Sequence, residues 1–151
     1  MTLNCNGKKI NFNTQKIMGI LNISDDSFYD GGKYNSIDKA VSRVSEMINQ
    51  GVDIIDLGAV SSKPGSKIIK GEDELKMTSK YIIEFSKNFN NELFSIDTYN
   101  SEVAEFALNN GFAIINDISS GKYDSKLIDV VKDYNAGYVI MHMKGDPNNM
   151  Q

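Results

Sequence analysis

Cysteine occurs once in the 151 residues, as Cys5, and histidine once, as His142. A single thiol builds no disulfide framework and suits a reducing compartment. One cysteine and one histidine also leave no His/Cys/Glu cluster of the kind that holds a transition metal. Basic charge is short as well: 16 Lys and Arg stand against 20 Asp and Glu, a net charge of −4. Such a chain has no basic field to draw in a nucleic-acid backbone. The lysines of "SKPGSKIIKGEDELK" (62–76) are interrupted by Glu and Asp and read as a solvated face. No apolar run approaches the ~20 residues of a membrane span. The N-terminal "MTLNCNGKKINFNTQ" lacks the continuous apolar stretch of a signal peptide. With only two prolines there is no linker or low-complexity tract. The expectation is one soluble, cytoplasmic domain with no membrane or nucleic-acid partner, since domains commonly run to ~100–200 residues.

What is present is a repeating unit. A short run rich in Ile, Val, Leu or Phe ends in polar residues, and a segment of helical periodicity follows. The runs are "KIMGILNIS" (16–24), "VDIIDLGAV" (52–60), "ELFSIDTY" (92–99), "FAIINDIS" (112–119) and "YVIMHMK" (138–144). After the first, Ile37, Val41, Val44, Met47 and Ile48 recur at helical spacing, with Ser36 as a candidate N-cap and Gly51 as a stop. A second helix is expected from near Glu72 to about Asn88, a third between Ser101 as cap and Gly111 as stop, and a fourth within "DSKLIDVVKDYNAG". Near-continuous apolar runs alternating with helices imply parallel strands with right-handed crossovers. The first residues differ: two short pieces flank Asn6-Gly7, a hairpin signal, and should cap the bottom of the sheet. An open doubly wound sheet and part of a (β/α)8 barrel both suit this alternation. The first strand-to-helix loop is "NISDDSFYDGG", not G-x-G-x-x-G, which lowers a dinucleotide-binding reading. No G-x-S-x-G nucleophile elbow occurs either.

In both architectures function sits at the C-terminal ends of the strands. There the chain carries Asn22, Asp56, Asp97 before Thr98, Asn116-Asp117, and His142 between methionines. Burying an uncompensated amide or carboxylate costs roughly 1–3 kcal/mol, so a polar residue at each strand end is hard to attribute to stability. Asp97 can share the face of Ser95 by alternation, leaving Thr98 to cap. Asp117 reads better as a cap or loop ligand, and His142 as a core histidine. Carboxylate and amide on neighbouring strands suit a flat heterocycle, the Asp accepting from a guanidine-like N–H pair and the Asn both donating and accepting. Asn22 beside an acidic loop also suits a hydrated Mg2+ carrying a phosphate.

These stretches resemble the dihydropteroate synthase family. "MGILNISDDSFYDGG" is similar to its first signature and "GVDIIDLGAVSSKPG" to its second. "FSIDTYNSEVAEFALNNGFAIINDISSG" resembles its third and fourth strands, and "VIMHMKGDPNNMQ" its fifth. The resemblance implies an α/β fold of the (β/α)8 TIM barrel family, with about the first five units present behind the N-terminal hairpin. It implies condensation of 6-hydroxymethyl-7,8-dihydropterin pyrophosphate with p-aminobenzoate in folate synthesis, with Mg2+ as cofactor, sulfonamides as competitors and a homodimer in the full-length form. By motif position, Asp97 and Asn116 are the catalytic and pterin-binding pair, with Ile118 and Met141 lining the pocket. Asn22 holds metal and pyrophosphate, and Asp56 belongs to the substrate set. Phe28 and Asp30 of loop one, and Ser62, Lys63 and Pro64 of loop two, close over p-aminobenzoate.

The chain departs from the family pattern at Ser24-Asp25, where Thr-Pro is usual, at Val60 in place of Glu, and at Lys63 in place of Arg. Lys cannot repeat a planar bidentate contact. The family's later Asp, Lys and Arg-x-His have no counterpart here, and a barrel typically takes ~250 residues. Residues 1–151 are therefore expected to be the N-terminal portion of a longer enzyme, incomplete for catalysis alone. The alternatives are a methyltetrahydrofolate-dependent corrinoid methyltransferase, or a non-catalytic pterin-binding half-barrel.

Overall fold

The structure, a computed structural model, describes residues 1–23, 36–59 and 68–142. Strands β1 (Thr2–Cys5) and β2 (Lys8–Asn11) pair antiparallel about Asn6-Gly7. Both turn residues have positive φ, +47° and +81°, as a two-residue type I′ turn demands. The hairpin closes the N-terminal end of a larger sheet, as expected. Its Cys5 and Ile10 are buried against Ile54, Ala113 and Ile114. The Asn6 amide donates to the carbonyls of Leu108 (2.9 Å) and Phe112 (2.7 Å). Burial raises the Cys5 thiol pKa, which leaves it an inert packing group.

The larger sheet contains β3 (Met18–Asn22), β4 (Ile54–Gly58), β5 (Leu93–Asp97), β6 (Ile114–Asp117) and β7 (Gly137–Ile140). All pair in parallel, in chain order. An open doubly wound sheet reverses its order at a switch point. This one does not, so the fold is that of consecutive units of a (β/α)8 barrel. Helices α1 (Ser36–Asn49), α2 (Gly71–Asn88), α3 (Ser101–Asn109) and α4 (Lys126–Asp133) pack successively, α1 on α2, α2 on α3 and α3 on α4. Gly51 and Gly111 follow α1 and α3 with φ of +88° and +91°, the left-handed stops glycine supplies without a steric penalty. Among the described residues no helix is long and apolar enough to cross a membrane.

Alternation divides each strand between two faces. Leu21, Ile55, Leu57, Phe94, Ile96 and Ile115 point into the core under the helices, joined by Val44, Ile82, Phe85, Ala104 and Leu127. Phe94 stacks on Phe85 and on Phe112, with ring centroids 5.6 and 5.1 Å apart. Fully burying one such ring is worth roughly 1.5–3 kcal/mol. One helix start, that of α3, differs from the sequence reading, and that of α1 meets the edge of the described residues. Ser36 is the first described residue of α1, and its Oγ accepts a hydrogen bond from the Tyr81 hydroxyl at 3.0 Å. Ser101 is the first helical residue of α3, with Asn100 at the cap position and no side-chain cap bond. The free Ser101 N–H instead donates to Asp124 Oδ2 at 2.8 Å, so an acidic side chain from the loop before α4 does the capping.

Candidate functional site

The face turned away from the helices carries the polar residues. Register fixes two rungs across it. In the lower, Ile20 pairs with Asp56, Asp56 with Ser95, and Ser95 with Ile114. In the upper, at the C-terminal ends, Asn22 pairs with Gly58, Gly58 with Asp97, Asp97 with Asn116, and Asn116 with Val139. The rungs lie two residues apart, so Asn22, Asp56, Asp97 and Asn116 share one face. The alternation of short polar and long apolar residues in "IIDLG", "FSID" and "IIN" produces this: every helix-facing position in these stretches is apolar, and polar side chains fall on the other side.

The rungs are joined by one hydrogen bond. Asn116 Nδ2 donates to Asp56 Oδ2 at 2.9 Å. Asp56 is 3% exposed, and burial raises its pKa against the opposing pull of Ser95 and Asn116. Ser95 lies close enough to influence that charge. Even so, Ser95 Oγ and Asp56 Oδ1 are both buried without a well-formed hydrogen bond. Asp97 is partly exposed at the rim. Its pKa is pushed up to about 7, first by burial, then by the negative charges of Asp56, Glu74 and Asp117. None of these four carboxylates makes an ion pair among the described residues. Of the four, Asp56 and Asp97 lie on the site face, and these acceptors, with no ion-paired cation among the described residues, suit a ligand rich in N–H groups.

Asp117 belongs to the opposite face and is fully buried. Its Oδ1 accepts from Ser119 N (2.7 Å), and its Oδ2 from Gly121 N (2.6 Å) and the Tyr138 hydroxyl (2.7 Å). It is a loop ligand, as the sequence reading has it. Ile118 and Met141 follow the ends of β6 and β7, beyond Asn116 and Val139, and both are partly exposed. His142 is exposed, which corrects its reading as a core histidine: β7 ends at Ile140, two residues before it. Phe28, Asp30, Ser62, Lys63 and Pro64, like the departures at Ser24-Asp25 and Val60, lie outside the described residues.

The pterin binding enzyme family matches residues 18–151. The chain belongs to that family. It is 50% identical over 136 residues to a dihydropteroate synthase of Staphylococcus haemolyticus, covering 90% of this chain and 50% of that protein. Its fold is similar to the Yersinia pestis dihydropteroate synthase solved with a sulfonamide drug (TM-score 0.84, 30% identity), over 100% of this chain and 54% of that one. The Xanthomonas albilineans enzyme with 4-aminobenzoic acid aligns at TM-score 0.83 and 30% identity, over 96% of this chain and 53% of the other. The chain spans about half the length of these dihydropteroate synthases.

Within this pterin-binding fold, two residues of consequence are not singled out by the sequence. Gly58 sits between Asn22 and Asp97 in the upper rung; a β-carbon there would stand 2.8 Å from Asn22 Oδ1 and 3.6 Å from Asp97 Oδ2. Glu74 of α2 is 1% exposed and accepts from Thr98 Oγ1 (2.9 Å) and Asn100 Nδ2 (2.6 Å). Thr98 Oγ1 in turn accepts from Asn100 N at 3.0 Å, and Asn100 Nδ2 also reaches the Ile69 carbonyl at 3.3 Å. Tyr99 closes the latch by accepting the Ile69 N–H at 2.8 Å. The turn that follows Asp97 is thereby held by the start of α2. The parity of Gly58 with Asp56 was the available signal for the first. Nothing in the acidic "GEDE" distinguishes Glu74 from its exposed neighbours.

Proposed function

We propose that the protein carrying this chain is a dihydropteroate synthase. It condenses 6-hydroxymethyl-7,8-dihydropterin pyrophosphate with p-aminobenzoate, giving dihydropteroate and pyrophosphate in folate biosynthesis. The observation that carries the reading is the rung Asn22–Gly58–Asp97–Asn116, with Asp56 bonded beneath it. Ionised Asp97 takes an N–H pair of the pterin, and Asn116 meets a neighbouring ring edge. Ile118 and Met141 flank the ring. Phe28, Asp30, Ser62, Lys63 and Pro64 come from the loops that cover p-aminobenzoate and exclude water. The relatives solved with 4-aminobenzoic acid and with a sulfonamide support this choice of second substrate and competitor. The site works in a cytoplasmic enzyme, a homodimer in its full-length form.

Among the described residues no group of three His, Cys, Asp or Glu side chains forms a metal cage. Mg2+ does not need one: it keeps several waters and binds through one or two protein oxygens plus substrate phosphates. Asn22 Oδ1, held at the strand end beside Gly58, is a hard oxygen donor of the right kind. Asn22 would hold such an ion together with the oxygens of the substrate's pyrophosphate. When bound, Mg2+ supplies charge neutralisation for the leaving pyrophosphate.

The chemistry is a displacement at the pterin methylene. The C–O bond to pyrophosphate breaks, the electron pair leaving with the oxygen, and the methylene becomes carbocation-like in conjugation with the ring. The p-aminobenzoate nitrogen forms the new C–N bond and loses a proton. The acceptor floor of Asp97 and Asn116 stabilises the positive charge developing on the ring. The test is turnover by the intact protein with pterin pyrophosphate and labelled p-aminobenzoate. Labelled dihydropteroate is the expected product, and methyl transfer from methyltetrahydrofolate in its place would overturn the reading.

A further inference from the structure

Asp56 sits at a substrate-facing position by sequence, but its side chain is 3% exposed and its Oδ2 is occupied by the Asn116 amide at 2.9 Å. Its Oδ1 has no hydrogen-bond partner, nor has the hydroxyl of Ser95 beside it in register. A buried carboxylate with one oxygen unsatisfied carries a desolvation cost that its bond to Asn116 only partly offsets, so it is a poor stabiliser. Stability therefore does not account for it, whereas its bond to Asn116 has a consequence at the rim.

An asparagine amide offers a donor at one end and an acceptor at the other, and a half-turn exchanges them. We propose that Asp56 is a positioning residue: by taking the Asn116 N–H it fixes that amide with its Oδ1 toward the ligand. The rim then presents an acceptor from Asn116 next to the acceptors of Asp97, its register neighbour. A heterocycle that offers N–H groups at both points is selected, and one that offers a lone pair at the Asn116 position is rejected. Ser95, fully buried and paired with Asp56 in register, pulls on the same carboxylate. This inference rests on the pterin reading for the ligand but not for the orientation of Asn116.

The experiment compares Asp56→Leu, Asp56→Asn, Asn116→Asp and the double variant that exchanges the two side chains, in the intact protein. Affinity for 6-hydroxymethyl-7,8-dihydropterin is measured by calorimetry, and the thermal midpoint is recorded for each. Asp56→Leu should lose about tenfold in affinity, the scale of one hydrogen bond; the Asn116 amide it frees is partly exposed and can turn to water, so the thermal midpoint should change little. Asp56→Asn keeps an oxygen acceptor and should lose less. Asn116→Asp places two carboxylates against each other and should bind poorly. The exchange should restore binding, because an amide at position 56 would then donate to a carboxylate at position 116 and leave an oxygen facing the ligand. Unchanged affinity in Asp56→Leu, or failure of the exchange to improve on Asn116→Asp, would overturn the proposal. The Asn116 side-chain N–H resonances supply a readout without ligand. They should be shifted and slow to exchange in the wild type and not in Asp56→Leu. If that signature is present while the wild type ignores the pterin, the ligand assignment fails and the positioning role stands. If it is absent, the positioning role fails.

Discussion

Gly58 leaves room for the side chains of Asn22 and Asp97 by having none of its own: a β-carbon there would stand 2.8 Å from Asn22 Oδ1 and 3.6 Å from Asp97 Oδ2. Gly58 lies in a strand and is not among the positive-φ glycines, so alanine meets no backbone strain there. The atom in the way is the end of a side chain, which moves at little cost. Gly58→Ala should therefore change stability by about 1 kcal/mol or less while turning Asn22 away from the position proposed for the pyrophosphate. The affinity for a pterin pyrophosphate should fall about tenfold, the scale of one lost contact, and that for the unphosphorylated pterin much less. Calorimetry with both ligands checks this, and an equal loss for the two would place Asn22 elsewhere in the site.

Asp97 should give the site a pH dependence. Its pKa is pushed up from 3.8 to about 7, by burial first and by Asp56, Glu74 and Asp117 next. A carboxyl that holds its proton more tightly folded than unfolded contributes stability that is complete below the unfolded value and is lost as pH rises through about 7. The ligand-free chain should thus become easier to unfold across that window, and Asp97→Asn should flatten the decline. Binding moves the opposite way. A pterin whose N–H groups need the carboxylate should bind more tightly as Asp97 ionises, and Asp97→Asn should abolish that rise along with most of the affinity. Urea unfolding and calorimetry at a series of pH values measure the two trends. A pterin affinity that does not change through neutral pH would remove Asp97 from the contact.

Glu74 tests how that pKa is set. It is buried, its own pKa is raised mainly by burial, and its charge raises that of Asp97. Glu74→Gln keeps an oxygen to accept from Thr98 and Asn100 and removes the charge. The Asp97 titration should move to lower pH, read from its side-chain carbon resonance, with the fold retained. Glu74→Ala removes acceptor and volume together and should cost about 2–4 kcal/mol in denaturant unfolding. An unmoved Asp97 titration in Glu74→Gln would show that the electrostatic coupling is negligible.

The strands and helices were legible because the helix-facing strand positions are apolar, Asp117 at the end of β6 excepted, and each helix pattern has a period near 3.6. Asn22, Asp56, Asp97 and Asn116 were legible because a polar side chain at a buried strand end conflicts with that pattern. What escaped was anything defined by contact. Asp56 reads as a substrate residue by position, but only the folded sheet brings the Asn116 amide onto one of its oxygens. Glu74 reads like its exposed neighbours because a tertiary contact with Thr98 and Asn100, not local pattern, buries it. Asp124 caps α3 from 23 residues away. His142 lies beyond the end of β7, where flanking methionines no longer imply a core.

The hairpin provides a control at the far end of the strands. Asn6 holds φ of +47° and spends both N–H bonds of its amide on the Leu108 and Phe112 carbonyls, around the end of α3. Asn6→Gly preserves the left-handed turn at no steric cost and removes only the side-chain bonds. With each hydrogen bond worth about 0.5–1.5 kcal/mol net, the variant should lose about 1–3 kcal/mol in urea unfolding. Asn6→Ala adds the left-handed penalty of a β-carbon, about 1–2 kcal/mol more. Neither should alter pterin affinity, because Asn6 braces the N-terminal ends of the strands and the ligand rung lies at their C-terminal ends. A drop in affinity at unchanged stability would mean that the hairpin reaches the site through the sheet, for which the bond from Lys8 of β2 to the Glu92 carbonyl ahead of β5 is the available route.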